Sequence, residues 1–286
     1  MVDYKFSLTK AAETLFPKII DELSSQISKK YSQEKWDFSQ LDKWRSVDFP
    51  KVLAKRHAKG DLNIKKDELA LLMDWKLAKG KFRPALPKLI RDNTENTVEN
   101  VTREGFEAFI KYALTISSWN DIDVSHYCAA LRSSLKKLTE LRGVGPATAS
   151  LLLSLLAEVT PSAPAFFSDE AFMYFVQEPL HPGQSIKYNI KEYVDEYIPL
   201  LISVARKFQI TSLNELERGA WALKSYDLHH INKYAAVELP SDIDIGATEK
   251  FAIASEFAVD ASKTSTKKRK TSTKSEAANK KVKKET

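Results

Sequence analysis

The chain has 286 residues, 43% hydrophobic and 29% charged, which gives enough apolar material for a core and excludes a wholly disordered chain. Eight glycines and eleven prolines are too few for the turns of a β-sandwich or barrel, and the single cysteine, Cys128, excludes a disulfide framework and any multi-cysteine zinc or iron–sulfur site. The net charge of +6 is uneven, because residues 261–286 hold ten Lys/Arg against two acids and residues 1–260 are left at −2. No apolar run reaches the length of a membrane span, and Met1-Val2-Asp3-Tyr4-Lys5 lacks the pattern of a secretory signal, so a soluble intracellular protein is expected.

In chain order the periodicity is helical. Leu8, Ala11, Leu15, Ile19, Leu23 and Ile27 recur at steps of three or four, with Pro17 bending or splitting the run. Helices are then predicted over 67–80, 84–91, 102–114 and 121–134, followed by one ending near Leu141. A very apolar helix over 146–157, a short one over 169–176 and a long one over 189–208 complete the middle of the chain. Ser212-Leu213-Asn214-Glu215 has the form of a capping box opening a further helix. No strand pair and no repeat of fixed period emerges. The expected fold class is all-α, with a body over 1–235 and a disordered tail over 236–286.

Residues 51–91 carry twelve Lys/Arg against four acids. Within them, Trp75 to Pro84 interleaves basic and aromatic residues. Lys79, Lys81 and Arg83 could hold phosphates while Trp75 or Phe82 stacks on a base. A solvated helix end capped at Gly80 explains the same pattern.

Leu138-Thr139-Glu140-Leu141-Arg142-Gly143-Val144-Gly145-Pro146-Ala147-Thr148-Ala149 is the most specific stretch. Gly143 and Gly145 permit a tight turn with uncovered amides, and Val144 plugs the gap between crossing helices. Pro146 suits a first helical turn, where a missing N–H costs little. Such a helix start offers its amides and the positive end of its dipole to a phosphate oxygen.

These residues resemble the helix–hairpin–helix DNA glycosylase superfamily, in motif over about residues 135–176 and more loosely over the body. The resemblance implies a two-lobed helical fold that binds double-stranded DNA through Arg142, Gly143, Val144, Gly145, Ala147 and Thr148. It places Asp169, after the loop Thr160–Ser168, where the family keeps its catalytic aspartate. An ionised carboxylate there would stabilise oxocarbenium character as the N-glycosidic bond of a flipped base breaks. Asp169 next to Ser168 is equally a good helix cap. Trp75, Phe166, Phe167 and Tyr174 are candidates for the base pocket. Bifunctional members carry a lysine where this chain has Ala147 or Thr148, so no Schiff base and no β-lyase step is expected. Either a monofunctional DNA-repair glycosylase or a non-catalytic DNA, chromatin or protein-binding relative fits these residues.

In the tail, Lys267-Lys268-Arg269-Lys270 and Lys280-Lys281-Val282-Lys283-Lys284 form a two-part nuclear localisation pattern. Nuclear import receptors are therefore expected partners, and the nucleus the expected location. Neither a metal nor another cofactor is expected, no membrane association, and a monomer.

Overall fold

A computed structural model describes residues 4–241 together with Ile243, Ile253 and Ala254; the two basic runs of the tail lie outside the described residues. The described residues form thirteen α-helices joined by π and 3-10 turns, and hold no strand, only an isolated bridge between Tyr31 and Trp36. In order these are α1 (Tyr4–Lys10), α2 (Phe16–Gln26), α3 (Phe38–Lys43), α4 (Phe49–Ala58), α5 (Lys66–Lys79), α6 (Leu86–Arg91) and α7 (Glu95–Ala113). The second half comprises α8 (Val124–Leu138), α9 (Pro146–Ser154), α10 (Asp169–Phe172), α11 (Glu178–Leu180), α12 (Ile198–Phe208) and α13 (Leu213–His229). No helix among the described residues is long and apolar enough to cross a membrane.

Proline inside a helix removes one hydrogen bond and drives its ring against the carbonyl four residues back. Four times this chain meets that problem in the same way. π turns at Ala11–Leu15, Trp44–Asp48, Met173–Gln177 and Glu192–Tyr197 each end two residues before Pro17, Pro50, Pro179 and Pro199. At each, the residue before the proline donates its N–H five residues back, as from Phe16 to Ala11 and from Ile198 to Tyr193. The widened turn moves the threatened carbonyl aside and the helix continues. Pro17 therefore leaves the first helical run intact rather than splitting it.

Caps set several boundaries that periodicity misplaced. Helix α7 starts at Glu95 rather than 102, because the Thr94 hydroxyl accepts from the Thr97 N–H. Helix α8 starts behind Asp123, whose carboxylate accepts from the His126 N–H. The capping box expected at Ser212 is not formed. Ser212 holds the N-cap position without a side-chain bond, and Glu215 instead accepts from the Thr9 hydroxyl at 2.7 Å. Packing also continues beyond the body boundary expected at 235: Val237, Ile243, Ile253 and Ala254 are all buried, and the Tyr226 hydroxyl donates to the Val237 carbonyl.

Helix α9 runs through the core with every residue from Ala147 to Ser154 buried, which explains why its sequence is apolar all round. Its N-terminus reaches the surface at the exposed Gly145. Its C-terminus ends inside, where the Ser154 hydroxyl accepts from the buried Arg45 at 2.8 Å.

Candidate functional site: a glycine turn and a charged cleft

The turn between α8 and α9 is fixed by a residue remote in sequence. Asn93, buried behind α6, accepts the Arg142 N–H through Oδ1 at 2.9 Å. Its amide Nδ2 donates to the Arg142 carbonyl at 3.0 Å and to the Leu89 and Ile90 carbonyls at 3.2 and 2.9 Å. Gly143 adopts a left-handed φ of +80°, and a Cβ there would lie 3.0 Å from the Leu89 Cβ, so the position needs glycine twice over. Val144 is buried, and Pro146 opens α9.

Gly145 is the N-cap of α9 with no side-chain cap bond, and open space lies where its Cβ would be. The first-turn amides of a helix have no intrahelical acceptor, so this end offers uncapped donors at the surface. Arg142 projects beside them with its side chain 61% exposed, 3.6 Å from Asp92. Ala147 and Thr148 are buried, so their side chains reach no ligand and only their backbone amides remain as donors.

Asp169 is the first residue of α10, behind the N-cap Ser168. One of its oxygens accepts the Tyr188 hydroxyl at 2.7 Å. Tyr188 sits at a left-handed φ of 56°, with the Arg83 guanidinium 5.2 Å from its ring centre. Burial, together with the hydrogen bond to Asp169, pushes ionisation of this phenol far up, so it stays a donor. Lys76, Lys81, Arg83, Asp169, Glu170 and Tyr188 surround one cleft. Burial and the neighbouring Asp169 charge push the Glu170 carboxyl up to about 7. Burial lowers the Lys76 ammonium, with Asp169 opposing.

Two stretches read separately in the sequence, the basic–aromatic run and Asp169, thus meet. Their inner members take other roles. Lys79 is no phosphate contact: it is buried, its Nζ 3.7 Å from Glu217 and 4.0, 4.9 and 5.1 Å from the ring centres of Trp221, Phe16 and Trp75. In α5 it stands one and two turns beyond the buried Trp75 and Leu72, on the same inward face. Trp75 cannot stack on a base either, being fully buried with its indole N–H on Asp42 at 2.8 Å. The exposed aromatic of this run is Phe82, at 66%. Phe166, Phe167 and Tyr174 are also buried, Phe167 stacked against Tyr193 and Tyr197. The cleft holds about 40 Å³, room for water and too little for a nucleobase, so these aromatics form core rather than an open base pocket.

Among the described residues no group of three or more His, Cys, Asp or Glu could hold a metal ion. Asn93 and Tyr188 escaped the sequence reading, and Lys76 lies inside the basic–aromatic run without a marking of its own. Asn93 follows a helix end and Tyr188 follows a Gly-containing loop, but neither position carries a spacing that marks it. No protein-family model, curated protein or solved structure matches the chain.

Proposed function

We propose that this protein binds duplex DNA through the glycine turn, with a two-lobed glycosylase-like body as the scaffold. The observation that supports it is the uncapped start of α9 at the surface, held rigid by Asn93 and flanked by the exposed Arg142. Backbone amides at a helix start bind a phosphate oxygen without reading sequence, so the expected binding is sequence-tolerant and falls with salt. Lys81 and Arg83, exposed at the cleft mouth with Phe82 between them, extend the same surface chemistry. Fluorescence anisotropy with the chain lacking residues 262–286, on a random duplex across salt concentrations, tests this. No binding at low salt would leave the turn a structural joint.

A second reading, excision of a base, is favoured by the convergence of Asp169, Tyr188 and the cations on one cleft. Asp169 would stabilise the oxocarbenium-like transition state and position water, once Tyr188 leaves its carboxylate and the cleft opens to admit a base. With Ala147 and Thr148 carrying no amine, the product would be an intact abasic strand. A screen of damaged duplexes with wild type and Asp169→Asn tests it. Excision that survives the substitution refutes the role. The basic runs of the tail would direct nuclear import, and deleting residues 262–286 should then lower the nuclear fraction of a tagged chain.

A further inference from the structure

A second cavity, of about 520 Å³, is lined by residues at the C-terminal end of α9 and the start of α13. Arg45, Arg218 and Asn214 line it. Arg45 is only 6% exposed, yet of its five donors a single one has a protein partner, the Ser154 hydroxyl. Its Nε, the Arg218 Nε and the Asn214 Oδ1 have no protein partner, and these are three of the seven buried side-chain polar atoms so placed among the described residues. Neither guanidinium forms an ion pair among the described residues; the carboxylates of Glu217 and Asp42 act on Arg45 from beyond that distance. Their other close contacts are aromatic: Arg45 lies 4.6 Å from the Trp75 ring centre and Arg218 4.5 Å from that of Phe16.

A buried guanidinium with four of its five donors unbonded is costly, and such groups in a folded protein call for a ligand, water or ion as the reason they persist. The start of α13 adds its dipole, because Ser212 leaves that helix uncapped by a side chain. Two carboxylates, Glu13 and Glu215, also line the cavity, Glu215 taking the Thr9 hydroxyl. They would repel a polyanionic strand but accept hydroxyl donors. The volume suits a small molecule.

We propose that this cavity binds a small phosphorylated molecule with hydroxyl groups, its phosphoryl oxygens on the forks of Arg45 and Arg218 and its hydroxyls toward Glu13 and Glu215. The proposal is independent of the glycine turn and of Asp169.

Ribose 5-phosphate is a direct probe, with ribose as the control. On the full chain at constant ionic strength, the sugar phosphate at saturation should raise the melting temperature by roughly 2–4 °C while ribose leaves it unchanged. The basic tail does not confuse this readout, since binding to residues 262–286 does not stabilise the body. Arg218→Gln should melt within about 2 °C of wild type and lose the ligand-induced shift. Arg45→Lys keeps the charge and removes the fork, so calorimetry should show at least about tenfold weaker binding. Three results would overturn the proposal: no shift in wild type, a shift retained in Arg218→Gln, or release of the sugar phosphate by a short duplex, which would make the ligand a nucleic-acid strand.

Discussion

The glycine turn and the charged cleft both sit at the start of a helix, yet they handle their polar groups in opposite ways. At the turn, donors stay on the backbone and the supporting bonds come from the neutral Asn93, so α9 begins in the open. In the cleft, charge is packed tightly: Tyr188 closes on Asp169, and Lys79 lies behind them in a cage of three aromatic rings with Glu217. Exposed backbone donors cost little because water serves them, whereas buried charges must keep their partners. Substitutions of cleft charges should therefore change folding stability, and those at the exposed Arg142 and Gly145 of the turn should change binding.

The largest effect is expected behind the cleft. Lys79→Ala leaves Glu217 buried without its cation and should destabilise by about 3–5 kcal/mol in chemical denaturation, whereas replacing both by apolar residues should recover most of the loss. Next comes Glu170. Its carboxyl titrates near 7 in the folded state against an ordinary value of 4.5, so the folded chain holds this proton more tightly. Its contribution is most favourable below the ordinary value, falls as pH rises to about 7, and is constant above. Relative to wild type, Glu170→Gln should gain stability over that interval, by up to about 3 kcal/mol at pH 8. Equal pH profiles for the two proteins would contradict the buried placement of this group.

The two glycines of the turn sharpen the contrast. Gly143→Ala places a side chain at a left-handed φ and 3.0 Å from the Leu89 Cβ, and should cost about 1–3 kcal/mol. Gly145→Ala meets nothing within 4 Å and should change thermal stability by less than about 0.5 kcal/mol. The smallest effect is at Arg142. Its replacement by Ala should leave the melting temperature in place and reduce the salt slope of duplex binding by roughly one unit.

The contrast also explains what the sequence made legible. Helix α9 and its turn were readable because a buried helix with a surface start needs a continuous apolar run, a proline at its first position and a glycine at a left-handed φ, all within ten residues. The all-α class followed from periodicity alone. The cleft was half readable: Asp169 and the run from Trp75 to Pro84 stood out, but that both line one cleft depends on the tertiary fold, which no local pattern encodes. The inward turn of Lys79 was hidden because a lysine in a basic run looks solvated, and its partner Glu217 lies far along the chain. Asn93 holds the turn from 49 residues away. The π turns were marked only by their prolines, which signal a disturbance without saying how it is resolved.

Gly145→Val in the chain lacking residues 262–286 gives the most direct test of DNA binding through the turn. The added side chain enters open space, so the fold should hold while the first-turn amides of α9 are covered. Duplex affinity by anisotropy at low salt should fall at least about tenfold, with the melting temperature unchanged within about 2 °C. Unchanged affinity in a variant that melts like its parent would contradict a role for the turn in binding DNA.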